Sequence, residues 1–315
     1  MPDSSANRGQ AAARLLALRD ELAHQGVDGY IVPRADEHMG EYVPPHAERL
    51  AWLTGFTGSA GSCVVLSDSA AVFTDGRYTS QLGEEADASL YQFRHSIDQP
   101  PKDWIAEHLQ GRALGYDPWL HTPADVTRLS AACAKAGGKL VPMVDNPIDA
   151  IWADRPKPPL GRVFVHGLEY AGVSSADKRD QIGTILKAEK IDAVVLTAPD
   201  SIDWLLNIRG GDVANAPLAL AFAILHKDGT VDLFIDDRKL DDVVRDHLGG
   251  DVGIHAPDAL GPALDTFGEN GLNIAFDSNS GACWIQRRLK AAGATITDRT
   301  DPCQLPKAVR NAVEL

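Results

Sequence analysis

The sequence Val27-Asp28-Gly29-Tyr30-Ile31-Val32 returns later in the chain as Ile191-Asp192-Ala193-Val194-Val195-Leu196. In both copies a β-branched residue and an aspartate precede a short run of mostly apolar residues, a pattern typical of a buried strand. The two copies lie about 160 residues apart, which is too long for a solenoid repeat and fits a duplicated domain. The pattern therefore predicts two copies of one fold.

Three further landmarks recur in the same order. The paired segments are Leu50–Gly55 with Ile202–Asn207, Thr74–Arg77 with Ile235–Arg238, and Gly115–Pro118 with Ala275–Ser278. A chain of 315 residues with 44% hydrophobic residues is large enough to fill two cores. We therefore expect two domains.

Helical and strand patterns alternate within each half. In the first half, residues 8–25 carry an apolar stripe at helical spacing and residues 29–32 read as a strand. In the second half, Ser174 or Ser175 is expected to cap a helix over 176–189, and a strand is expected over 192–196. This alternation predicts an α/β fold in which each domain is a mixed β-sheet flanked by helices.

Two segments mark the limits of these domains. Residues 145–162 contain four prolines and are predicted to form a stiff linker. Residues 307–315 resemble the first turns of a helix. The predicted boundaries are residues 8–155 for domain I and 160–306 for domain II, with 307–315 leading into a further domain.

The charge and the cysteine content of the chain limit the binding partners and the cellular compartment that we expect for it. The net charge of −14 and the pI of about 5.1 argue against a surface for nucleic acid or anionic membranes. The sequence lacks an apolar stretch of the ~20 residues that a membrane span needs, and its N-terminus lacks the apolar core of a secretory signal. The cysteines are far apart and predict neither a zinc site nor a redox motif. We therefore predict a cytoplasmic protein.

Motifs for catalysis and metal binding are missing from the sequence. It contains neither HExxH nor GxSxG, and the Gly-rich segment 56–61 lacks the lysine of a phosphate-binding loop. We therefore predict no catalytic residue, no metal ligand and no cofactor within this chain.

Two polar segments are candidates for binding. Asp75-Gly76 predicts a turn after a strand, and Arg77 and Tyr78 then stand at the strand-to-helix corner, where the arginine fork suits a carboxylate or a peptide carbonyl. The alternative is a structural Arg–Asp pair that holds the corner. The loop that carries Arg209, Asp212 and Asn215 either borders a binding cleft or is a plain connection.

Several motifs together resemble one known family. They are Tyr30–Pro33, Glu41-Tyr42, Ser59–Gly61, Thr74–Tyr78, Ile151–Pro156, Trp204–Gly210 and Lys307–Asn311. In this order they are similar to the N-terminal half of the long, three-domain, cytosolic type of aminopeptidase P, in the creatinase/prolidase superfamily.

The resemblance implies two tandem creatinase-like N-terminal domains and a third, pita-bread catalytic domain that this chain lacks. That third domain would hold two divalent metal ions, Mn²⁺ by type, and would be a partner of this chain. The implied substrate is a peptide with proline at its second position, and the implied assembly is a homodimer. The resemblance also assigns peptide binding to Arg77, supported by Tyr78 and Asp75.

Two alternatives from other classes stay open at this point. The chain could be a stand-alone, non-catalytic module for binding or oligomerisation. It could instead belong to a relative that hydrolyses creatine or cleaves dipeptides, although those relatives usually carry one such domain rather than two.

Overall fold

The computed structural model describes residues 4–315, with side chains from residue 10 onward, and divides into two compact units. Unit 1 comprises the chain up to Asp36 together with Pro45–Pro158. Unit 2 comprises Glu37–Pro44 together with Pro159–Leu315. The second unit is therefore discontinuous in sequence.

Unit 1 contains six strands and six α-helices among the described residues. The strands are β1 Gly29–Pro33, β2 Ser62–Leu66, β3 Ala70–Thr74, β4 Gln92–His95, β5 Ala113–Tyr116 and β6 Lys139–Pro142. The helices are α1 Ser4–His24, α2 Arg49–Thr54, α3 Thr79–Glu85, α4 Pro101–His108, α5 Pro123–Lys135 and α6 Pro147–Ile151, with a 3-10 turn at Pro45–Ala47.

Unit 2 repeats this series and adds a two-stranded ribbon. Its strands are β7 Val163–Val165, β8 Ala193–Leu196, β9 Ile208–Gly210, β10 Phe222–His226, β11 Val231–Phe234, β12 Val252–His255, β13 Asn273–Phe276 and β14 Thr295–Asp298. Its helices are α7 Leu168–Ala171, α8 Ser175–Ala188, α9 Pro199–Leu206, α10 Asp242–Leu248, α11 Leu260–Glu269, α12 Cys283–Ala292 and α13 Gln304–Ala308, with 3-10 turns at Asp237–Lys239 and Pro257–Ala259.

The two main sheets have the same topology. Their strand orders are β4-β3-β2-β1-β5-β6 and β12-β11-β10-β8-β13-β14. In each sheet the two pairings made by the third strand in this order, β2 or β10, are antiparallel and the remaining pairings are parallel. The predicted α/β fold with a mixed sheet in each half is confirmed.

The aspartate that opens each repeated segment joins two neighbouring parallel strands. Asp28 Oδ2 accepts a hydrogen bond from the backbone N–H of Ala113 at 2.8 Å, and Asp192 Oδ2 accepts one from Asn273 at 2.9 Å. Each aspartate thus satisfies a backbone donor at the start of the adjacent strand. This shared role explains why the residue stands in both copies.

The sheets are covered by helices on both faces, as continuously apolar strands require. In unit 1, all of β3 and all of β2 except Ser62 are buried, and separate apolar clusters lie on the two faces of the sheet. In unit 2, strands β8, β10 and β11 contribute to one large cluster with α8 and α9.

The predicted linker over 145–162 is wrong in its first half. Asn146 caps α6 by accepting from the N–H of Ile148 at 3.0 Å, and Ile148 is fully buried in the core of unit 1. Pro147 occupies the first turn of α6, where its missing N–H costs nothing. Arg49 also holds Asp149 through two hydrogen bonds of 2.7 and 2.8 Å. The prolines here begin a helix rather than mark an open connection.

The predicted helix over 307–315 is also wrong in its position. Helix α13 begins earlier, at Gln304, and ends at Ala308. Residues 309–315 form an irregular turn centred on Asn311, whose side-chain amide donates to the carbonyl of Ala171 at 2.8 Å. Elsewhere Ser174 caps α8 as expected, accepting from the N–H of Asp177 at 3.0 Å.

Candidate functional site

The candidate binding corner in unit 1 follows β3 and precedes α3. Asp75 Oδ1 accepts from the backbone N–H of Arg77 at 3.0 Å, which closes the turn that Gly76 occupies. The Arg77 guanidinium then folds back onto the same carboxylate, with Nε at 3.1 Å from Oδ1 and Nη2 at 2.8 Å from Oδ2. The side chain of Arg77 is nevertheless 65% exposed. The corner presents a fixed cation to solvent.

Neighbouring side chains fix the orientation of this cation. The hydrogen bond from Arg77 lowers the pKa of Asp75, so that carboxylate is ionised at neutral pH. The guanidinium carbon lies 5.2 Å from the centre of the Tyr78 ring, within the range of a cation–π contact. The Tyr78 hydroxyl in turn hydrogen-bonds with Ser59 Oγ at 2.6 Å. The structure therefore brings the three predicted residues, Asp75, Arg77 and Tyr78, together as one cluster.

Unit 2 carries the same arginine fork at the equivalent corner. Asp236 Oδ1 accepts from the N–H of Arg238 at 3.0 Å and from its Nε at 2.8 Å, while Nη2 lies 2.6 Å from Oδ2. Hydrogen bonding from Arg238 lowers the pKa of Asp236 to about 2. Because both corners form the same pair, the pair belongs to the shared framework. A binding role for Arg77 stays a prediction.

The second candidate loop separates its three residues. Asp212 is fully buried, and its carboxylate accepts from the N–H groups of Gly161 and Leu220 at 2.8 and 2.7 Å. Its cationic partner is Lys239, whose Nζ lies 2.7 Å from Oδ2. All of these contacts are internal to unit 2, so Asp212 holds the loop in place rather than presenting its carboxylate to a ligand.

The other two residues of this loop lie nearer the surface. Arg209 is half-buried and donates to the carbonyls of Ile208 and Asp203 at 2.7 and 3.2 Å. Asn215 is exposed and adopts a positive φ of 63°, a conformation that asparagine tolerates better than most residues. For these two residues, a place on a loop that borders a binding cleft stays a prediction.

The sequence patterns missed two buried lysines. Lys239 was not singled out, because it follows the fork of Arg238 in a segment that reads as polar surface. Lys178 lies on the polar helix α8, yet its Nζ donates to Trp204 O at 2.9 Å and to Asn207 Oδ1 at 2.6 Å. Desolvation lowers the pKa of Lys178 to about 8. No local signal marks either residue, because their partners lie far away in sequence.

The described part of the chain offers little for a metal ion. Among residues 4–315, no three His, Cys, Asp or Glu side chains converge in an arrangement that could hold one. Over the same residues, no helix is both long enough and apolar enough to cross a membrane.

Two family models match the chain one after the other. Both are described as the creatinase/prolidase N-terminal domain; one matches residues 14–151 and the other residues 154–314. The two matches follow the internal duplication.

The curated relatives include two fungal proteins of the same name. The chain is 34% identical to a probable Xaa-Pro aminopeptidase P from Coccidioides posadasii and 33% identical to one from Aspergillus niger. Each match covers 96% of this chain and 51% of the relative. The chain therefore spans about half the length of the curated relatives it matches and corresponds to their N-terminal part.

A solved structure agrees with these matches. The X-prolyl aminopeptidase of Caenorhabditis elegans, described as a cytosolic enzyme with a di-nuclear active site, aligns with a TM-score of 0.88 at 28% identity. The alignment covers 96% of this chain and 52% of that one.

Proposed function

The chain belongs to the creatinase/prolidase N-terminal domain family, and from its two tandem domains we propose that it is the non-catalytic N-terminal part of a metal-dependent Xaa-Pro aminopeptidase. Such an enzyme removes the N-terminal residue that precedes proline. The observation that carries the proposal is the 34% identity that extends over 313 residues and both units. We place domain I at residues 8–155 and domain II at 160–306, with 307–315 leading towards the catalytic domain.

The contribution of this chain would be to position the substrate. Arg77 is exposed, and its guanidinium is hydrogen-bonded to the Asp75 carboxylate. The Tyr78 ring makes a cation–π contact with the same guanidinium. A guanidinium fixed in this way can bind a peptide carbonyl or carboxylate without first losing its conformational freedom. Positioning of this kind raises the rate through geometry and takes no part in bond breaking.

The metal ions would belong to the catalytic part of the enzyme. The described residues of this chain offer no cluster of ligands, whereas the C. elegans relative, of which this chain covers 52%, is described as having a di-nuclear active site. We propose two divalent ions of the Mn²⁺ type there. We propose a homodimer as the assembly. The description of the C. elegans enzyme as cytosolic supports a cytoplasmic location.

The proposal is tested with two proteins: the product of the complete natural gene and the 315-residue chain. Release of the first residue from a short Xaa-Pro-Pro peptide is measured with Mn²⁺ and again with a chelator. We expect chelator-sensitive release by the complete product and none by the 315-residue chain. A complete product that fails to cleave the peptide would refute the aminopeptidase assignment. Turnover by the 315-residue chain would refute the non-catalytic role.

A further inference from the structure

A histidine stands beside the Arg77 corner in unit 1 but not beside its counterpart in unit 2. Strands β3 and β4 are parallel, and Thr74 at the end of β3 lies opposite His95 at the end of β4. In unit 2 the equivalent positions, one residue beyond the paired parts of β11 and β12, are Ile235 and Ala256. The duplication therefore marks His95 as a feature that the shared framework does not need.

The ring of His95 is held from one side by Asp98. Its Nδ1 accepts from the backbone N–H of Asp98 at 3.4 Å and lies 3.1 Å from Asp98 Oδ2. A neutral ring that accepts at Nδ1 carries its proton on Nε2, and a protonated ring carries a proton on each nitrogen. Nε2 is therefore a hydrogen-bond donor in both forms. The side chain of His95 is 30% exposed.

The other side of the ring faces the turn that carries Arg77. A Cβ added at Gly76 would lie 3.6 Å from His95 Nε2, so this nitrogen adjoins a residue without a side chain. Unit 2 has Asp237 in place of Gly76. The pKa of Asp75 is lowered chiefly by hydrogen bonds from Arg77, and an electrostatic contribution from His95 acts in the same direction. The ring and the arginine fork thus belong to one cluster.

We propose that His95 is a second substrate-binding residue of this corner, and that its Nε2–H donates to a carbonyl or carboxylate oxygen of the peptide that Arg77 binds. The inference deepens the proposed function and rests on it. Both residues are donors, and an oxygen of either kind has lone pairs for both. Since Asp98 holds the ring and Asp75 holds the guanidinium, little conformational freedom is lost when the peptide binds.

The experiment uses two substitutions that each keep one half of the imidazole. In His95→Gln the side-chain amide nitrogen can stand where Nε2 stands, so the donor towards the peptide is kept. In His95→Asn the amide stands where Nδ1 stands, so the contact with Asp98 is kept and the donor is lost. Steady-state cleavage of an Xaa-Pro-Pro peptide by the complete gene product gives kcat and KM. Ala256→His is the matched control, because Ala256 is exposed at the corner of unit 2.

We expect His95→Asn to raise KM about three- to tenfold with kcat unchanged, since one hydrogen bond to the bound peptide is lost. His95→Gln should keep KM close to its native value, and Ala256→His should change neither constant. If the ring merely supports the corner, His95→Asn is instead the variant that keeps the native KM. Any result in which KM for His95→Asn does not exceed KM for His95→Gln would overturn the proposal.

The same assay distinguishes the two kinds of oxygen. A rise in KM for His95→Asn with the free-acid peptide, but not with the C-terminal amide, identifies the terminal carboxylate. A rise with both peptides identifies an internal carbonyl, and either result supports the proposal. A complete product that cleaves neither peptide would refute the aminopeptidase function itself. An active native product whose two His95 variants behave alike would refute only the role of His95.

Discussion

The two units hold equivalent corners with different chemistry. In unit 1 the residue after the arginine is Tyr78, whose hydroxyl hydrogen-bonds with Ser59 in the loop before β2. In unit 2 the residue after the arginine is Lys239, which is tied to its loop by a buried ion pair with Asp212. The arginine forks themselves match. The contact is thus neutral in unit 1 and charged in unit 2.

A second difference between the units lies at helices α2 and α9, each of which carries a tryptophan. Arg14 Nη1 donates to Trp52 O at 2.6 Å, and its guanidinium carbon lies 4.8 Å from the centre of the Trp52 ring. Lys178 makes the equivalent contacts in unit 2, with Nζ 2.9 Å from Trp204 O and 4.5 Å from the ring. In both units a cation satisfies a helix carbonyl and covers an indole. The cation is an arginine in unit 1 and a lysine in unit 2.

The largest expected difference lies between the two corner ties. Replacing Asp212 with Ala leaves the Lys239 ammonium buried without its counter-charge, which we expect to lower the free energy of unfolding by about 3–5 kcal/mol. Ser59→Ala is the matched change in unit 1 and removes one neutral hydrogen bond, with an expected loss of about 1 kcal/mol. Urea unfolding measures both, and hydrogen exchange assigns each loss to its unit. Equal losses would show that the charged tie has no special weight.

The second prediction separates the two forks by function. In the complete enzyme, Arg77→Ala should lower kcat/KM for an Xaa-Pro-Pro peptide by at least about tenfold, equivalent to about 1.4 kcal/mol. Arg238→Ala removes the same fork in unit 2 and should leave kcat/KM unchanged. Steady-state kinetics at several peptide concentrations provide the measurement. If both variants lose activity equally, the forks act only through the framework.

The smallest expected difference concerns the two tryptophan cations. The pKa of Lys178 is lowered by desolvation to about 8, so between pH 8 and its ordinary value of 10.5 the unfolded chain binds more protons than the folded one. Stability should therefore rise with pH across this window, by less than the limit for one proton of about 1.4 kcal/mol per pH unit. Arg14 contributes no such slope, because a guanidinium stays protonated.

The measurement is urea unfolding at several pH values for the native chain and for Lys178→Met. The difference between the two proteins removes the contribution of every other titrating group. A difference that does not change between pH 8 and 10 would contradict the assignment of the lowered pKa to Lys178.

The sequence was most informative where a residue recurs in both copies and makes the same contact in each. Asp28 and Asp192 were visible as a pair, and each joins two strands at the same place in its sheet. The two-domain α/β fold followed from such pairs. Local patterns failed where the deciding partner is distant, as with Lys239 and Asp212, which are 27 residues apart. Proline was ambiguous for the same reason, since burial of Ile148 decides whether Pro147 starts a helix or a linker.

The candidate site divides in the same way. The turn of Asp75 with Arg77 is local, and it was predictable from the residues themselves. The burial of Asp212 was not predictable, because a carboxylate in a Gly-rich loop looks exposed until Lys239 and two backbone donors are found around it.

Because unit 2 is discontinuous in sequence, its two parts are synthesised at different times. His38 belongs to unit 2, where its ring stacks on Phe222 with centroids 4.4 Å apart and its Nδ1 lies 3.2 Å from Thr197 O. His38 and Thr197 are 159 residues apart in sequence. At ~5–20 residues per second, the ribosome therefore synthesises Thr197 roughly 8–30 s after His38. During that interval the segment Glu37–Pro44 must wait outside its final environment while unit 1 is still emerging. Unit 2 can therefore complete its folding only after most of the chain has been made.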